Sequence, residues 1–233
     1  MRLHRFYVSQ PHGEDVVIDD VSVLKQWAKV FRYQKGDFVI LFNGDGNDYT
    51  YALQVISVKT CALHLENKVK AYSPTKAVTL YLSILKKDNF ELVVQKATEL
   101  GISMIVPILS DRSEKKGLND ERLHKIAIEA SEQCGRGDIL KISQPIPFTQ
   151  ALESLQKQNT YALNMVGIPV SDNEIQKTLK KTESISIFIG PEGGWSEHEE
   201  SIFKEKGISL ISLGKTTLRA ETAAIVACAF MLQ

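Results

Sequence analysis

The pattern of hydrophobic and polar positions changes near residue 74. Before that point short β-rich runs dominate, at 38–42, 49–58 and 61–65, and one helical segment at 22–32 interrupts them. Asn43-Gly44-Asp45-Gly46 follows the first run, and Asn and Gly accept the positive φ that a hairpin turn requires. The pattern therefore predicts a small β-barrel.

From residue 77 onward, strand-like and helix-like segments alternate six times. The predicted strands are 78–85, 102–109, 139–142, 161–166, 184–189 and 208–213. Capping-box spacings at 88–91, 171–174 and 196–199 mark helix starts. This alternation predicts a mostly parallel sheet with helices on both faces. We expect one domain at 1–72, a linker at 73–76 and a second domain at 77–233.

Composition indicates a globular protein. The 233 residues include 28 basic and 28 acidic side chains, and 43% are hydrophobic. No apolar run reaches the ~20 residues needed to cross a bilayer. Three cysteines, none in a CxxC pair, argue against a disulfide framework and favour the cytoplasm. Zero net charge, taken alone, counts against a nucleic-acid partner.

The ends of the predicted strands show where a ligand would bind, because open α/β sheets bind ligands beyond their carboxyl ends. The first strand ends in Lys86-Lys87-Asp88 with no glycine, so the dinucleotide-binding fingerprint is absent. Glycines instead concentrate in 190–194 and at Gly214, and 166–169 adds a third loop. Such backbone-lined loops suit an adenine or a ribose better than a metal. The five histidines show no metal-binding spacing.

Two charged residues stand at the start of the last predicted helix. A cation at Arg219 opposes the helix dipole and implies an anionic partner, which could be Glu221, Glu192, or a substrate phosphate or oxyanion. Glu221 could equally be structural, since a carboxylate is favoured at a helix N-terminus. The helix is apolar nearly all round from Ala223 to Leu232, which fits core burial or a subunit interface.

Three groups of motifs stand out along the chain. The C-terminal group consists of Ile189-Gly190-Pro191-Glu192-Gly193-Gly194-Trp195-Ser196 and of Leu213-Gly214 with Leu218-Arg219-Ala220-Glu221-Thr222-Ala223. The central group is Gln95 to Ile102 with Pro107, and Glu129-Ala130, Glu132-Gln133 and Arg136. The N-terminal group is Arg5-Phe6, Val30-Phe31-Arg32 and Gly36-Asp37. Together these motifs resemble those of the RsmE-type ribosomal RNA methyltransferases of the SPOUT superfamily.

This resemblance implies a PUA-like β-barrel followed by an α/β domain with a trefoil knot, assembled as a homodimer. It implies methylation of N3 of a uridine in 16S rRNA of the small subunit, with S-adenosylmethionine as the methyl donor. The implied donor-binding residues are Met165, Gly190, Pro191, Glu192, Gly193, Leu213, Gly214 and Leu218. Removing the N3 proton requires a base, and the uracil anion requires stabilisation. We assign Arg219 to the anion, and Glu221 either to the base or to fixing Arg219.

RNA contacts are expected from basic residues of both domains: Arg2, Arg5, Arg32, Lys35, Arg112 and Arg136. The near-neutral charge of each domain favours an assembled 30S subunit over naked rRNA as substrate. Two other hypotheses remain, a non-enzymatic RNA-binding or ribosome-assembly factor, and a SPOUT methyltransferase that acts on another RNA.

Overall fold

The computed structural model describes residues 3–9, 13–57, 59–114, 117–155 and 159–233, without the side chains of 165 and 166. The chain divides into two compact units. The first comprises Met1–Ser73 with Ser131–Ile139, and the second comprises Pro74–Ala130 with Leu140–Gln233. Ser131–Ile139 therefore groups with the first unit, and the expected limits of 1–72, 73–76 and 77–233 stay a prediction.

A five-stranded sheet builds the first unit. Its strands are β1 (Arg5–Tyr7), β2 (Asp15–Ile18), β3 (Phe38–Phe42), β4 (Asn47–Ile56) and β5 (Cys61–Lys70). They lie in the order β1-β3-β4-β5-β2, and the sheet curls into a half-barrel. The predicted hairpin between β3 and β4 is confirmed, and Gly44 and Gly46 both have a φ of 87°. β1 and β2 were not predicted, because runs of three and four residues are too short for an alternation to show.

One helical segment connects β2 to β3, as the sequence predicted. α1 (Val21–Gln26) starts after Asp20, whose carboxylate accepts hydrogen bonds from the N–H groups of Ser22 and Val23. The helix continues as a π-helical turn over Trp27–Phe31. It ends at Arg32, whose backbone is left-handed, with φ 55° and ψ 39°.

Arg5 and Arg136, two of the residues expected to contact RNA, are buried in the first unit. The Arg5 side chain is 4% exposed, and its Nη2 lies 2.6 Å from Oδ1 of Asp48. The same guanidinium donates to the carbonyls of Ser131 and Arg136, at 2.6 and 3.0 Å. Arg136 pairs with both carboxylate oxygens of Asp138, at 2.8 and 2.7 Å. Both guanidinium groups are therefore engaged inside the protein, and their contact with RNA stays a prediction.

The second unit is an α/β sandwich. Its strands are β6 (Ala77–Ser83), β7 (Met104–Leu109), β8 (Lys141–Ile142), β9 (Ile146–Pro147), β10 (Asn159–Pro169), β11 (Ser184–Ile189) and β12 (Ser209–Ser212). Its helices are α2 (Lys87–Leu100), α3 (Asp120–Cys134, which ends in the first unit), α4 (Phe148–Glu153), α5 (Asn173–Lys181), α6 (Glu197–Glu205) and α7 (Ala220–Met231). The predicted parallel sheet and α/β class are confirmed; the trefoil knot stays a prediction.

The strand order locates the edge at which a ligand would bind. The strands run β12-β10-β11-β6-β7-β8, with β9 also paired to β7, and every pairing is parallel. The chain proceeds outward from β6 to β8 and then returns to place β11 on the other side of β6. Such a reversal leaves a crevice outside the carboxyl ends of the strands.

Three local predictions in this unit were wrong. α2 begins at Lys87 with Lys86 as its N-cap and no side-chain cap, so 88–91 is not a capping box. α5 is capped by the carboxylate of Asp172, one residue later than the predicted box implied. The segment 166–169 is part of β10 and pairs with β12 after a register shift, so it is not a loop. The capping box at Ser196 and Glu199 is confirmed.

An aromatic cluster fills the core beside the sheet. Tyr81 stacks on Phe188, with ring centroids 4.4 Å apart. Phe203 packs edge-on against Trp195 and Phe148, at 5.0 and 5.1 Å. Trp195 thus joins the loop after β11 to the hydrophobic core. Among the described residues, no helix is long and apolar enough to cross a bilayer.

Candidate active site

A cavity of about 390 Å³ lies at the carboxyl ends of β11 and β12. It is bordered by the loop after β11, the loop after β12, the middle of β10 and the first turns of α7. The lining residues are Leu163, Asn164, Ile189, Gly190, Pro191, Glu192, Gly193, Gly194, Trp195, Glu200, Ser212, Leu213, Gly214, Thr216, Thr217, Leu218, Ala220 and Ala223. Its size and its mixture of apolar walls with a few polar groups are typical of a small-molecule site.

The loop after β11 is held against the core by Trp195. The indole is 6% exposed, and its Nε1 donates to the carbonyl of Leu163 across 2.9 Å. A Cβ atom at Gly190 would lie 3.1 Å from Cε2 of this ring, closer than side chains normally pack. Glycine at position 190 therefore lets the backbone lie directly on the indole. This leaves the other side of the loop backbone open to the cavity.

Two further contacts anchor the same loop. Nη1 of Arg112 donates to the carbonyls of Gly193 and Trp195, at 2.9 and 3.1 Å. On the other side, Oε1 of Glu192 accepts hydrogen bonds from the N–H of Lys86 and from Nδ2 of Asn89, at 3.2 and 3.4 Å. Glu192 thus supplies the negative charge that the uncapped N-terminus of α2 favours. The loop is fixed from both sides before any ligand binds.

Polar groups reach the cavity from its other walls. Nδ2 of Asn164 donates to Oε1 of Glu200 across 2.7 Å. Oγ of Ser212 donates to the carbonyl of Gly214, at 3.1 Å, and accepts from its N–H, at 3.3 Å. Gly214 has a φ of 140°, a conformation that L side chains rarely adopt. These bonds shape the turn by which the chain leaves β12.

Seven of the eight residues predicted to bind the methyl donor line this cavity: Gly190, Pro191, Glu192, Gly193, Leu213, Gly214 and Leu218. The side chain of the eighth, Met165, lies outside the described residues. The sequence did not identify Asn164 or Glu200 as site residues, because Asn164 lies 26 residues before the glycine-rich loop, Glu200 lies six residues after it, and neither belongs to a motif. Trp195 was part of a quoted motif but was not assigned to the site. The parallel pairing of β10 with β11 and β12 brings Asn164 to the site.

Arg219 and Glu221 both lie at the start of α7 but in different environments. Arg219 is the N-cap residue, exposed, and forms no ion pair with any residue that the structure describes. Glu221 is buried, 9% exposed, and its Oε2 has no hydrogen-bond partner among the described residues. The two side chains therefore do not pair with each other here. Glu192 is likewise engaged at α2.

The remaining predicted RNA contacts have different surroundings. Arg32 and Lys35 are exposed in the first unit. Arg112 is exposed, but its guanidinium also holds the loop after β11. Arg2 lies outside the described residues.

Comparison with known proteins agrees with this site. The RNA methyltransferase domain family matches residues 72–232, and the RNA methyltransferase PUA domain family matches residues 28–66. The ribosomal RNA small subunit methyltransferase E of Rickettsia conorii is 31% identical over 98% of this chain and 95% of its own length. The protein of the same name from Synechocystis is 33% identical over 86% of this chain and 67% of its own length.

A solved structure extends the similarity to the fold. The ribosomal RNA small subunit methyltransferase E of Neisseria gonorrhoeae, crystallised with S-adenosyl methionine, superposes with a TM-score of 0.88 at 27% identity. The match covers 99% of this chain and 97% of that one. With a family match over more than half of its residues and relatives aligned nearly end to end, the chain belongs to the RNA methyltransferase family.

Proposed function

We propose that this protein methylates N3 of a uridine in 16S rRNA of the small ribosomal subunit, with S-adenosylmethionine as the methyl donor. The cavity built from the loops after β11 and β12 is the observation that carries this proposal. Supporting it are relatives named ribosomal RNA small subunit methyltransferase E and a similar structure with the donor bound.

The residues at the cavity fit the proposed donor. Bare backbone at Gly190, Gly193 and Gly214 allows close approach to an adenine or ribose. Leu213 and Leu218 add apolar contacts. The Asn164–Glu200 pair supplies an amide and a carboxylate that suit the hydroxyl and amino groups of a nucleoside or an amino acid.

The chemistry requires the protein to manage a proton and a negative charge. Bound S-adenosylmethionine supplies an electrophilic methyl group, whereas uracil N3 carries a proton that must leave for the nitrogen to react. Arg219 is an exposed cation between the lining residues Leu218 and Ala220, and we assign it to the charge that develops on O2 and O4 of uracil. Glu221, with its unpartnered buried oxygen, either takes the proton or positions Arg219 once RNA is bound.

We also propose a homodimer in the cytoplasm. α7 packs its buried side, which includes Ala224, Ala227 and Cys228, into the second unit. Its other side leaves Ile225 and Phe230 only half-buried. A second copy of the chain would cover this apolar strip. Sedimentation equilibrium tests the proposal: Phe230→Glu should give a monomer where the wild type is a dimer, and a wild type that sediments as a monomer would refute it.

The proposed reaction is tested by mass mapping of small-subunit rRNA from cells that lack the protein. Loss of a single methyl group on one uridine is the expected result, and restoring the wild-type gene should restore it. A second assay compares purified 30S subunits with free 16S rRNA as methyl acceptors. The near-neutral protein should prefer the assembled subunit.

The alternative is an RNA-binding or assembly factor without catalysis. It predicts no site for the methyl donor, whereas a ligand that binds only the native state raises the apparent stability. A thermal shift on adding S-adenosylmethionine or its demethylated product therefore favours the enzyme. If the protein methylates a different rRNA or a tRNA, the proposal that it is a methyltransferase stands and the proposed substrate is wrong.

A further inference from the structure

One segment of the first unit is strongly basic although the whole chain is neutral. Residues 21–36 contain four basic residues, Lys25, Lys29, Arg32 and Lys35, and no acidic residue. The preceding eight residues, 13–20, contain four acidic residues and no basic one. Acidic and basic residues are thus segregated along this part of the chain, although the net charge of the whole chain is zero.

All four cations of this segment are exposed. None of them forms an ion pair with a residue that the structure describes. Lys25, Lys29 and Arg32 are four and three residues apart along α1 and the π-helical turn, a spacing that puts side chains on the same side of a helix. The buried positions, Leu24 and Trp27, lie on a different side.

Arg32 holds its position at a conformational cost. It is the one non-glycine residue with positive φ in the described part of the chain. Helices commonly end in this left-handed conformation, but at glycine or asparagine, because a Cβ atom is disfavoured there. Backbone strain of this kind concentrates where a side chain has a function. The long cationic side chain is therefore what distinguishes arginine at this helix end from the glycine that the backbone favours.

Aromatic rings lie next to Arg32 on both sides in sequence and close together in space. Phe31 and Tyr33 stack, with ring centroids 5.4 Å apart and planes inclined by 17°. The exposed ring of His4 lies 4.2 Å from that of Phe31, and its Nδ1 is hydrogen-bonded to the Tyr33 hydroxyl at 2.8 Å. This contact fixes an imidazole at the surface beside the cationic segment.

We propose that residues 21–36 and His4 form a binding surface for single-stranded RNA, in which Arg32, Lys25 and Lys29 contact phosphates and the His4 ring stacks on a base. Cations that follow the backbone beside an exposed ring are the means by which proteins hold single-stranded RNA without reading its sequence. The surface deepens the proposed function and rests on it for the identity of the RNA.

Fluorescence anisotropy with a fluorescein-labelled oligouridine of about ten nucleotides tests the surface, since sites of this kind hold ~4–16 nucleotides. Arg32→Gly is the decisive variant because it removes the charge while glycine keeps the left-handed backbone. The slope of log affinity against log salt should become shallower by about 0.7 for Arg32→Gly and by about 1.4 for Lys25→Gln with Lys29→Gln. Lys70→Gln, an exposed lysine of the same unit, is the matched control and should keep more of the wild-type slope.

Three further readouts complete the test. The thermal midpoint of Arg32→Gly should equal or exceed that of the wild type, and His4→Ala should weaken binding without changing the salt slope. Wild-type affinity and slope in Arg32→Gly and in the double lysine variant would overturn the proposal. Loss of RNA binding in these variants, together with rRNA that keeps every methyl group in cells lacking the protein, would retain the surface and refute the proposed reaction.

Discussion

Gly190 lies flat against Trp195, and a Cβ atom at position 190 would come within 3.1 Å of the indole. Because the same indole is hydrogen-bonded to Leu163, it cannot move away without breaking that bond. Backbone and ring together set the position of the loop after β11 at the cavity.

Gly190→Ala should therefore weaken binding of S-adenosylmethionine. The added methyl group must displace the loop or the ring, at a cost of about 1–3 kcal/mol for overpacking. Gly117→Ala is the matched control, because Gly117 does not line the cavity and a Cβ atom there would have no other atom within 4 Å. Isothermal titration of both variants measures the difference. Equal affinities would show that the packing of Gly190 on Trp195 does not shape the site.

A substitution at Arg112 distinguishes two roles of this residue, anchoring the loop after β11 and contacting RNA. Arg112→Ala removes two hydrogen bonds to loop carbonyls and should weaken donor binding by about 1 kcal/mol, or about fivefold, in the absence of RNA. Arg122→Ala, which loses only a surface pair with Glu91, serves as the control. Titration with the demethylated product checks both. A defect that emerges only with RNA would assign Arg112 to the substrate instead.

The sequence predicted the α/β class, the hairpin and most of the cavity, because each depends on local features. Glycine at 190, 193 and 214 marks the loops whether or not their surroundings are known. The contribution of Asn164 could not be predicted, since β10 shifts its register against β12 between Leu163 and Ile168, and Gly167 lies within this shift. A Cβ there would lie 2.6 Å from the backbone of Ile211, a contact that no local pattern reveals.

The burial of the arginines could not be predicted from the sequence. Arg5 and Arg32 are both arginines near aromatic residues in the first unit, and nothing local distinguishes them. Arg5 reaches Asp48 and Ser131, which are 43 and 126 residues away in sequence. Whether a charge faces solvent is decided by such distant partners, so it emerges only from the fold.

Arg5→Ala should accordingly destabilise the protein. It would leave the carboxylate of Asp48, 14% exposed, without its partner, and breaking a buried ion pair costs about 3–5 kcal/mol. Urea unfolding measures the change, with Lys70→Gln as an exposed control expected within about 0.5 kcal/mol of the wild type. If Arg5→Ala is stable but has lost RNA affinity, Arg5 contacts RNA and its ion pair with Asp48 does not stabilise the fold.

The three thiols should differ in reactivity. Burial raises the pKa of Cys61 to about 11 and that of Cys228 to about 12, and both side chains are inaccessible. Only the thiolate reacts, so below these pKa values the two cysteines stay largely protonated as well as shielded. Cys134 is partly exposed. Maleimide labelling of the native protein near pH 8 should modify Cys134 alone, and Cys134→Ser should abolish labelling until urea is added. Rapid native labelling of Cys228 would contradict its burial in α7.

Arg219 and Glu221 provide the test of the proposed chemistry. Arg219→Ala should lower the rate of methyl transfer by about 10²-fold or more, as the loss of other anion-stabilising groups does. It should leave donor affinity nearly unchanged, because Arg219 does not line the cavity.

Glu221→Gln keeps the shape of the buried side chain and removes its carboxylate. If Glu221 is the base, this variant loses turnover and donor affinity persists; if Glu221 positions Arg219, the loss should be smaller and Arg219→Ala with Glu221→Gln should be no worse than Arg219→Ala alone. Single-turnover methylation of 30S subunits, with donor binding measured in parallel, distinguishes the two roles. Near-normal turnover of Arg219→Ala would show that Arg219 does not stabilise the uracil anion and that another cation must do so.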